Sequence, residues 1–228
     1  MKSCILAVDT STDACSVALL HNGVIHASHK LLPREHTLNI LPMIQDLLAS
    51  NEVEIADVEG FIVGAGPGSF TGLRIAFGVV QGLAFAVNKP VAAISTLAAL
   101  AYQVAKSESV TDGYVLATID ARMNELYWAR YSITGNGLEL NQGPNVTSAD
   151  QLTFEGVKAI TGTGLVYENQ FVGLSSDVLQ DAEQRPRADA MIDYALAHAD
   201  LVQWQSADQV EPVYVRNNVA KKKSDQNK

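Results

Sequence analysis

Residues 64–82, "GAGPGSFTGLRIAFGVVQG", set Gly66, Pro67, Gly68, Ser69, Thr71 and Gly72 at the head of an apolar helical pattern. A glycine-rich loop entering a helix is the usual way to hold a phosphate on a helix N-terminus. The P-loop version needs G-x-x-x-x-G-K followed by Ser or Thr, because the lysine supplies charge at the outer phosphates and the hydroxyl holds magnesium. Here Gly66 to Gly72 is one residue too long, and Leu73 and Arg74 stand where Lys and Ser/Thr are required. The dinucleotide fingerprint G-x-G-x-x-G fails as well, since Ser69 occupies its last glycine position. Two structural roles remain for the loop. Ser69 or Thr71 can cap the helix, and the glycines permit positive φ beside Pro67.

Other reactive side chains form no evident catalytic set. Asp120, Arg122 and Glu125 are the densest charged cluster, which reads as a structural ion pair or as an acid/base pair. His21, His26, His29, His36 and His198 include no pair four apart on a helix, so surface or turn positions are expected for them. Cys4 and Cys15 fall in two adjacent strands with no metal-type spacing, and are expected to be buried free thiols.

The elements that must position these residues follow from apolar periodicity. Residues 4–8 and 16–20 read as a strand hairpin around "DTSTDA", with a third strand at 23–30 after the Asn22-Gly23 turn. A helix is predicted at 37–50, with Pro42 near its start, and a buried strand "VEGFIVGAG" feeds the glycine loop. Helix 71–87 ends at Lys89-Pro90, "PVAAIS" is a strand, and Ser95 or Thr96 caps a helix to about Lys106. Beyond the polar stretch 106–113 come two strands around Asp120–Asn124, a strand "VKAITGTG" and a helix at 188–199. The predicted organisation is α/β in two lobes, 1–107 and 108–217, followed by a basic, mobile tail at 218–228.

Gly78, Gly82 and Ala86 recur every four residues on helix 71–87, a flat stripe that costs about 1 kcal/mol of helix propensity per glycine. Close packing must offset that loss, either within the fold or against a second chain. The chain carries a net charge of −9; residues 213–228 contribute +4, and −9 − 4 leaves −13 on residues 1–212. So acidic a body is repelled by nucleic-acid phosphates and does not grip them unaided. No uninterrupted apolar run approaches the about 18 residues of a membrane span, and the apolar start at 4–8 ends at Asp9. A cytoplasmic protein is expected.

The segments "ILAVDTSTDACSVAL", "VGAGPGSFTGLRIA", "ISTLAALA", "IDARMNELYWA" and "EPVYVRN", in order over residues 4–217, resemble the TsaB family, formerly YeaZ. The resemblance implies the two-lobed fold of the actin, hexokinase and Hsp70 group (ASKHA), each lobe on a ribonuclease-H-like core. It implies a paralogue of TsaD, the subunit that transfers threonylcarbamoyl onto N6 of the adenosine beside the anticodon of tRNA. The implied partners are a TsaD-like catalytic paralogue, a TsaE-like ATPase, a second copy of the chain when alone, and tRNA only through the complex; no membrane is involved.

TsaD carries His-x-x-x-His on a helix, aligned here with Thr96 and Leu100, so the resemblance implies no catalytic residue and no metal ligand in this chain. The fold group's first hairpin offers Asp-x-Gly followed by Ser or Thr; here "DTST" puts Ser11 at the glycine. Asp9 is then a relic of a metal-facing aspartate or a turn residue bonded to nearby amides, and residues 160–164, "ITGTG", lie beside an adenine or form only a tight turn. No cofactor of its own is implied, and a nucleotide at the partner interface is left open. Helices 37–50 and 71–87 are expected to form a four-helix contact with the partner's equivalent pair. Leu41, Ile44, Leu48, Phe77 and Val80 would be its anchors, with Gly78 and Gly82 allowing close approach. The competing class is an ATP-dependent small-molecule kinase of the same fold group, and a peptidase is a third.

Overall fold

The computed structural model describes residues 2–107, 110–134 and 137–216. Its first sheet comprises β1 (Cys4–Asp9), β2 (Ala14–His21), β3 (Val24–Leu31), β4 (Gly60–Gly66), β5 (Val91–Ser95) and, from the far end of the chain, β11 (Trp204–Gln205). The second comprises β6 (Gly113–Asp120), β7 (Glu125–Thr134), β8 (Gly137–Ser148), β9 (Val157–Thr161) and β10 (Leu179–Asp181). The orders are β11-β5-β4-β1-β2-β3 and β10-β9-β6-β7-β8. In each sheet three strands form an antiparallel meander, and two further strands run parallel on the other side of the first. β1 and β6 therefore occupy the same place in two copies of one ribonuclease-H-like plan. The two-lobed α/β expectation holds.

Apolar residues at both phases of the period-two pattern explain why β1 and β2 are buried on both faces. Leu6, Val8, Cys15, Val17 and Leu19 point to one core, whereas Ile5, Ala7, Ala18 and Leu20 point to another on the opposite face. Cys4 and Cys15 are buried free thiols, as expected. On the first face lie α1 (His36–Ser50) and α2 (Phe70–Val87); on the second lie α4 (Ala188–Ala197) and Ala99 of α3 (Thr96–Lys106).

The sequence division at 107 does not follow the packing. α3 sends Leu97, Leu100, Ala101 and Val104 into the core of the second sheet, alongside Val115, Ala117 and Ile119. In return, α4, β11 and Val210 pack on the first sheet, so that sheet draws on both ends of the chain. The segment 218–228 lies outside the described residues.

Helix α2 starts at Ser69, whose side chain accepts a hydrogen bond from the Gly72 amide at 3.3 Å, and ends at Asn88 in the left-handed region at φ 52°. As expected, no uninterrupted apolar run reaches the length of a membrane span, since Thr71, Arg74 and Gln81 interrupt α2. α2 is nonetheless 18 residues with Arg74 as its one charge, long and apolar enough for one by length and composition. Its inner stripe of Leu73, Ala76, Phe77, Val80 and Ala84 is buried on the first sheet, and its outer stripe is apolar as well.

Candidate functional site: a filled hairpin and an open helix face

The first hairpin turn is closed on itself. Asp9, at the end of β1, is 1% exposed, and its Oδ1 accepts from the Ser11 amide at 3.0 Å and the Ser11 hydroxyl at 2.8 Å. Of the two readings left open for Asp9, the geometry is that of a turn residue bonded to a nearby amide. Its Oδ2 is buried with no hydrogen-bond partner. Burial pushes the carboxyl up to about 6, against the pull of the two Ser11 bonds.

The glycine loop lies directly on this turn. Ser69 donates its amide to the Ser11 carbonyl at 2.7 Å, and the Thr10 hydroxyl donates to the Gly72 carbonyl at 2.7 Å. A side chain at Gly64 would collide with the Asp9 carboxylate, one at Gly68 with the Ser11 carbonyl, and one at Gly72 with the Thr10 carbonyl. Gly66 alone of the loop has a positive φ, 98°. Most of these glycines are needed for close approach rather than for unusual backbone angles. The loop is fastened from behind by the Thr96 hydroxyl, which donates to the Pro67 carbonyl at 2.6 Å. Ser69 performs the capping, and Thr71 is exposed.

The second hairpin has the equivalent aspartate in the opposite condition. Asp120, at the end of β6, accepts at Oδ1 from the Arg122 amide at 2.8 Å and the Tyr167 hydroxyl at 2.9 Å, and at Oδ2 pairs with the Arg122 guanidinium at 2.9 Å. Glu125 pairs instead with Arg216, 91 residues away in sequence, which the sequence reading did not connect to it. The cluster is thus two separate ion pairs. "ITGTG" runs from the end of β9 through Gly162 into a 3-10 helix, Thr163–Gln170: Gly162 has φ 100° and is crowded by Thr118 and Leu100, Gly164 is crowded by Thr118, and Thr163 accepts from the Asp120 amide at 3.0 Å.

Thr96 and Leu100, the positions aligned with histidines, are both fully buried. Of the surface or turn positions expected for the histidines, His198 lies in the turn that follows α4 and His36 opens α1, but both are buried. His36 reaches the Ala14 carbonyl at 3.1 Å, and His198 bonds the Tyr194 carbonyl at 3.0 Å and stacks on its ring. Each joins elements distant in sequence or closes a helix end, signals that spacing alone does not carry.

The helix anchors also need correction. Ile44, Leu48, Phe77 and Val80 are sealed in the first core, where they hold α1 and α2 to their own sheet. Leu41 is 46% exposed, and Gly78 and Gly82 are open, with nothing within 4 Å of an added side-chain carbon. Packing of the glycine stripe within the chain is therefore ruled out among the described residues. Leu38 at 75% and Phe85 at 82% exposure share the outward side, and neither was named as an anchor. Helical periodicity identifies stripes but not their sense, and α2 is apolar on both.

Two sheets of one ribonuclease-H-like order, joined through α3, define a two-lobed α/β protein of the actin, hexokinase and Hsp70 type. The chain belongs to the TsaB/YeaZ family. It is 40% identical to the tRNA threonylcarbamoyladenosine biosynthesis protein TsaB of Escherichia coli K12, over 96% of this chain and 97% of that protein. The TsaB of Haemophilus influenzae is 36% identical, with 96% of each covered. Residues 26–224 match the family described as TsaD, tRNA N6-adenosine threonylcarbamoyltransferase. The solved YeaZ of Pseudomonas aeruginosa superposes with a TM-score of 0.83 at 38% identity, covering 93% of this chain and 99% of that one. A second Pseudomonas aeruginosa structure, described as similar to peptidase YeaZ, gives a TM-score of 0.85 at 38% identity, covering 94% of this chain and 100% of that one.

Proposed function

We propose that this chain is a non-catalytic subunit in the formation of N6-threonylcarbamoyladenosine in tRNA, acting by binding a TsaD-like catalytic paralogue through the outer faces of α1 and α2. The observation that carries this reading is the uncovered apolar side of the helix layer, with Leu38, Leu41, Gly78, Gly82 and Phe85 directed away from the sheet. Of the anchors named from sequence, Leu41, Gly78 and Gly82 stay in the contact. Ile44, Leu48, Phe77 and Val80 support it from beneath.

An apolar helix face of this kind is unfavourable in water, so a second copy of the chain covers it when the paralogue is missing. The filled hairpin supports the non-catalytic part: the Ser11 amide is held by Asp9, and the Ser69 amide by Ser11. Those donors would have to be released to grip a phosphate. In this reading a TsaE-like ATPase joins the pair, tRNA is met through the complex, which the chain's net charge of −9 favours, and the location is cytoplasmic.

The test is reconstitution of modified adenosine from a TsaD-like paralogue and a TsaE-like ATPase, with and without this chain. Modification that depends on the chain, with none from the chain alone, is the expected result. Modification by the chain alone contradicts the reading, and metal-dependent ATP hydrolysis by the isolated chain favours the kinase class.

A further inference from the structure

We propose that residues 207–216 form a latch between the lobes, fastened by Arg216. The segment is rooted on the first lobe. Gln81 of α2 donates its amide to the carbonyls of Ala207 and Val210, each at 2.9 Å, and Val210 is buried in the first core. The Val213 amide then bonds the Ala65 carbonyl at 2.8 Å, just before the glycine loop. Tyr214 packs its ring 5.2 Å from Phe70, while its hydroxyl accepts from Arg74 at 3.4 Å. Two residues on, Arg216 reaches the other lobe, donating to the Ala121 carbonyl at 3.1 Å and pairing with Glu125.

The receiving hairpin is strained. Arg122, Met123 and Asn124 have φ of 63°, 57° and 60°, three successive non-glycine residues in the left-handed region. L-residues are disfavoured there, so the tip keeps this shape only because its surroundings hold it. Asp120 holds it from inside, and Arg216 grips both of its flanks, Ala121 and Glu125. The guanidinium fork can serve a carbonyl and a carboxylate together, which a lysine ammonium on its flexible stem does not do in a fixed geometry. On another side of the lobe junction, Arg185 pairs with Asp13 and its carbonyl accepts from Gln103 of α3. Release of Arg216 therefore loosens this edge of the junction, while α3 and α4, packed on each other, keep the lobes joined. The latch does not depend on the partner assignment.

Spin labels at Lys30→Cys and Glu155→Cys, one exposed site in each lobe, report the interlobe distance, since native Cys4 and Cys15 are buried. The parent is expected to give one narrow distance. Arg216→Ala should widen it and speed exchange of the Val213 amide about tenfold. Exchanging the charges, Arg216→Glu with Glu125→Arg, should narrow the distance in part, because the ion pair returns while the Ala121 carbonyl stays without its donor. An unchanged distance and an unchanged Val213 exchange rate in Arg216→Ala overturn the proposal. If that variant does not fold, Arg216→Lys decides: faster Val213 exchange supports the latch and the parent rate overturns it.

Discussion

Asp9 and Asp120 end the first strand of the same sheet plan in the two lobes, yet their surroundings are opposite. Asp9 is buried beneath a glycine loop with one oxygen unpartnered; Asp120 is partly open, with both oxygens bonded. The first lobe has filled its hairpin with its own chain and turned its helices outward. The second has kept an open, strained hairpin and uses it to receive the C-terminal segment. Duplicated architecture thus fixes where the carboxylates stand, and the neighbouring loops decide what each can do.

The largest effect is expected where the first hairpin is filled. Gly72→Ala would drive a methyl group into the Thr10 carbonyl and should cost more than about 3 kcal/mol in denaturant unfolding. Gly173→Ala in the second lobe, at φ 80° with nothing within 4 Å, should cost only about 1 kcal/mol, from backbone strain alone. Similar losses for the two would erase the contrast.

Next comes the pH dependence of the Asp9 site. The folded state holds the Asp9 proton up to about pH 6, against 3.8 for the ordinary group. The stability this contributes is complete below pH 3.8, declines as pH rises toward 6, and is gone above it. Asp9→Asn removes the decline, so its advantage over the parent should grow across that window to about 1 to 3 kcal/mol, read from thermal unfolding at stepped pH. At the equivalent position of the second lobe, Asp120→Ala should instead lose about 1 kcal/mol, by removing the hydrogen bonds that it accepts from the Tyr167 hydroxyl and the Arg122 amide. The smallest effect should be a gain. Gly78→Ala and Gly82→Ala, free of neighbours in the monomer, should each stabilise it by about 0.5 to 1 kcal/mol while weakening self-association in sedimentation.

Much of the fold was legible because β1 and β4 are nearly continuous apolar runs and α1 and α2 carry helical stripes. β8 was not, since "GLELNQGPNVTS" is the polar edge of its sheet, where only one neighbour constrains the sequence. β10 and β11, of three and two residues, are too short for any period to show. At the site, the Ser69 cap was readable from local sequence. The glycines were read as freedom in φ, whereas Gly64, Gly68 and Gly72 are required by carbonyls and a carboxylate brought from β1 and its turn. The Glu125–Arg216 tie and the inward sense of Phe77 and Val80 exist only once the sheets have formed.

In the proposed function the outward side of α1 and α2 is the working surface. Leu41→Glu combined with Gly82→Glu places two charges there without touching the core beneath. Binding to a TsaD-like paralogue should fall at least about a hundredfold, the cost of burying unpaired charge, with the monomer's unfolding midpoint near the parent's. Parent-strength binding by a folded double variant would contradict the account.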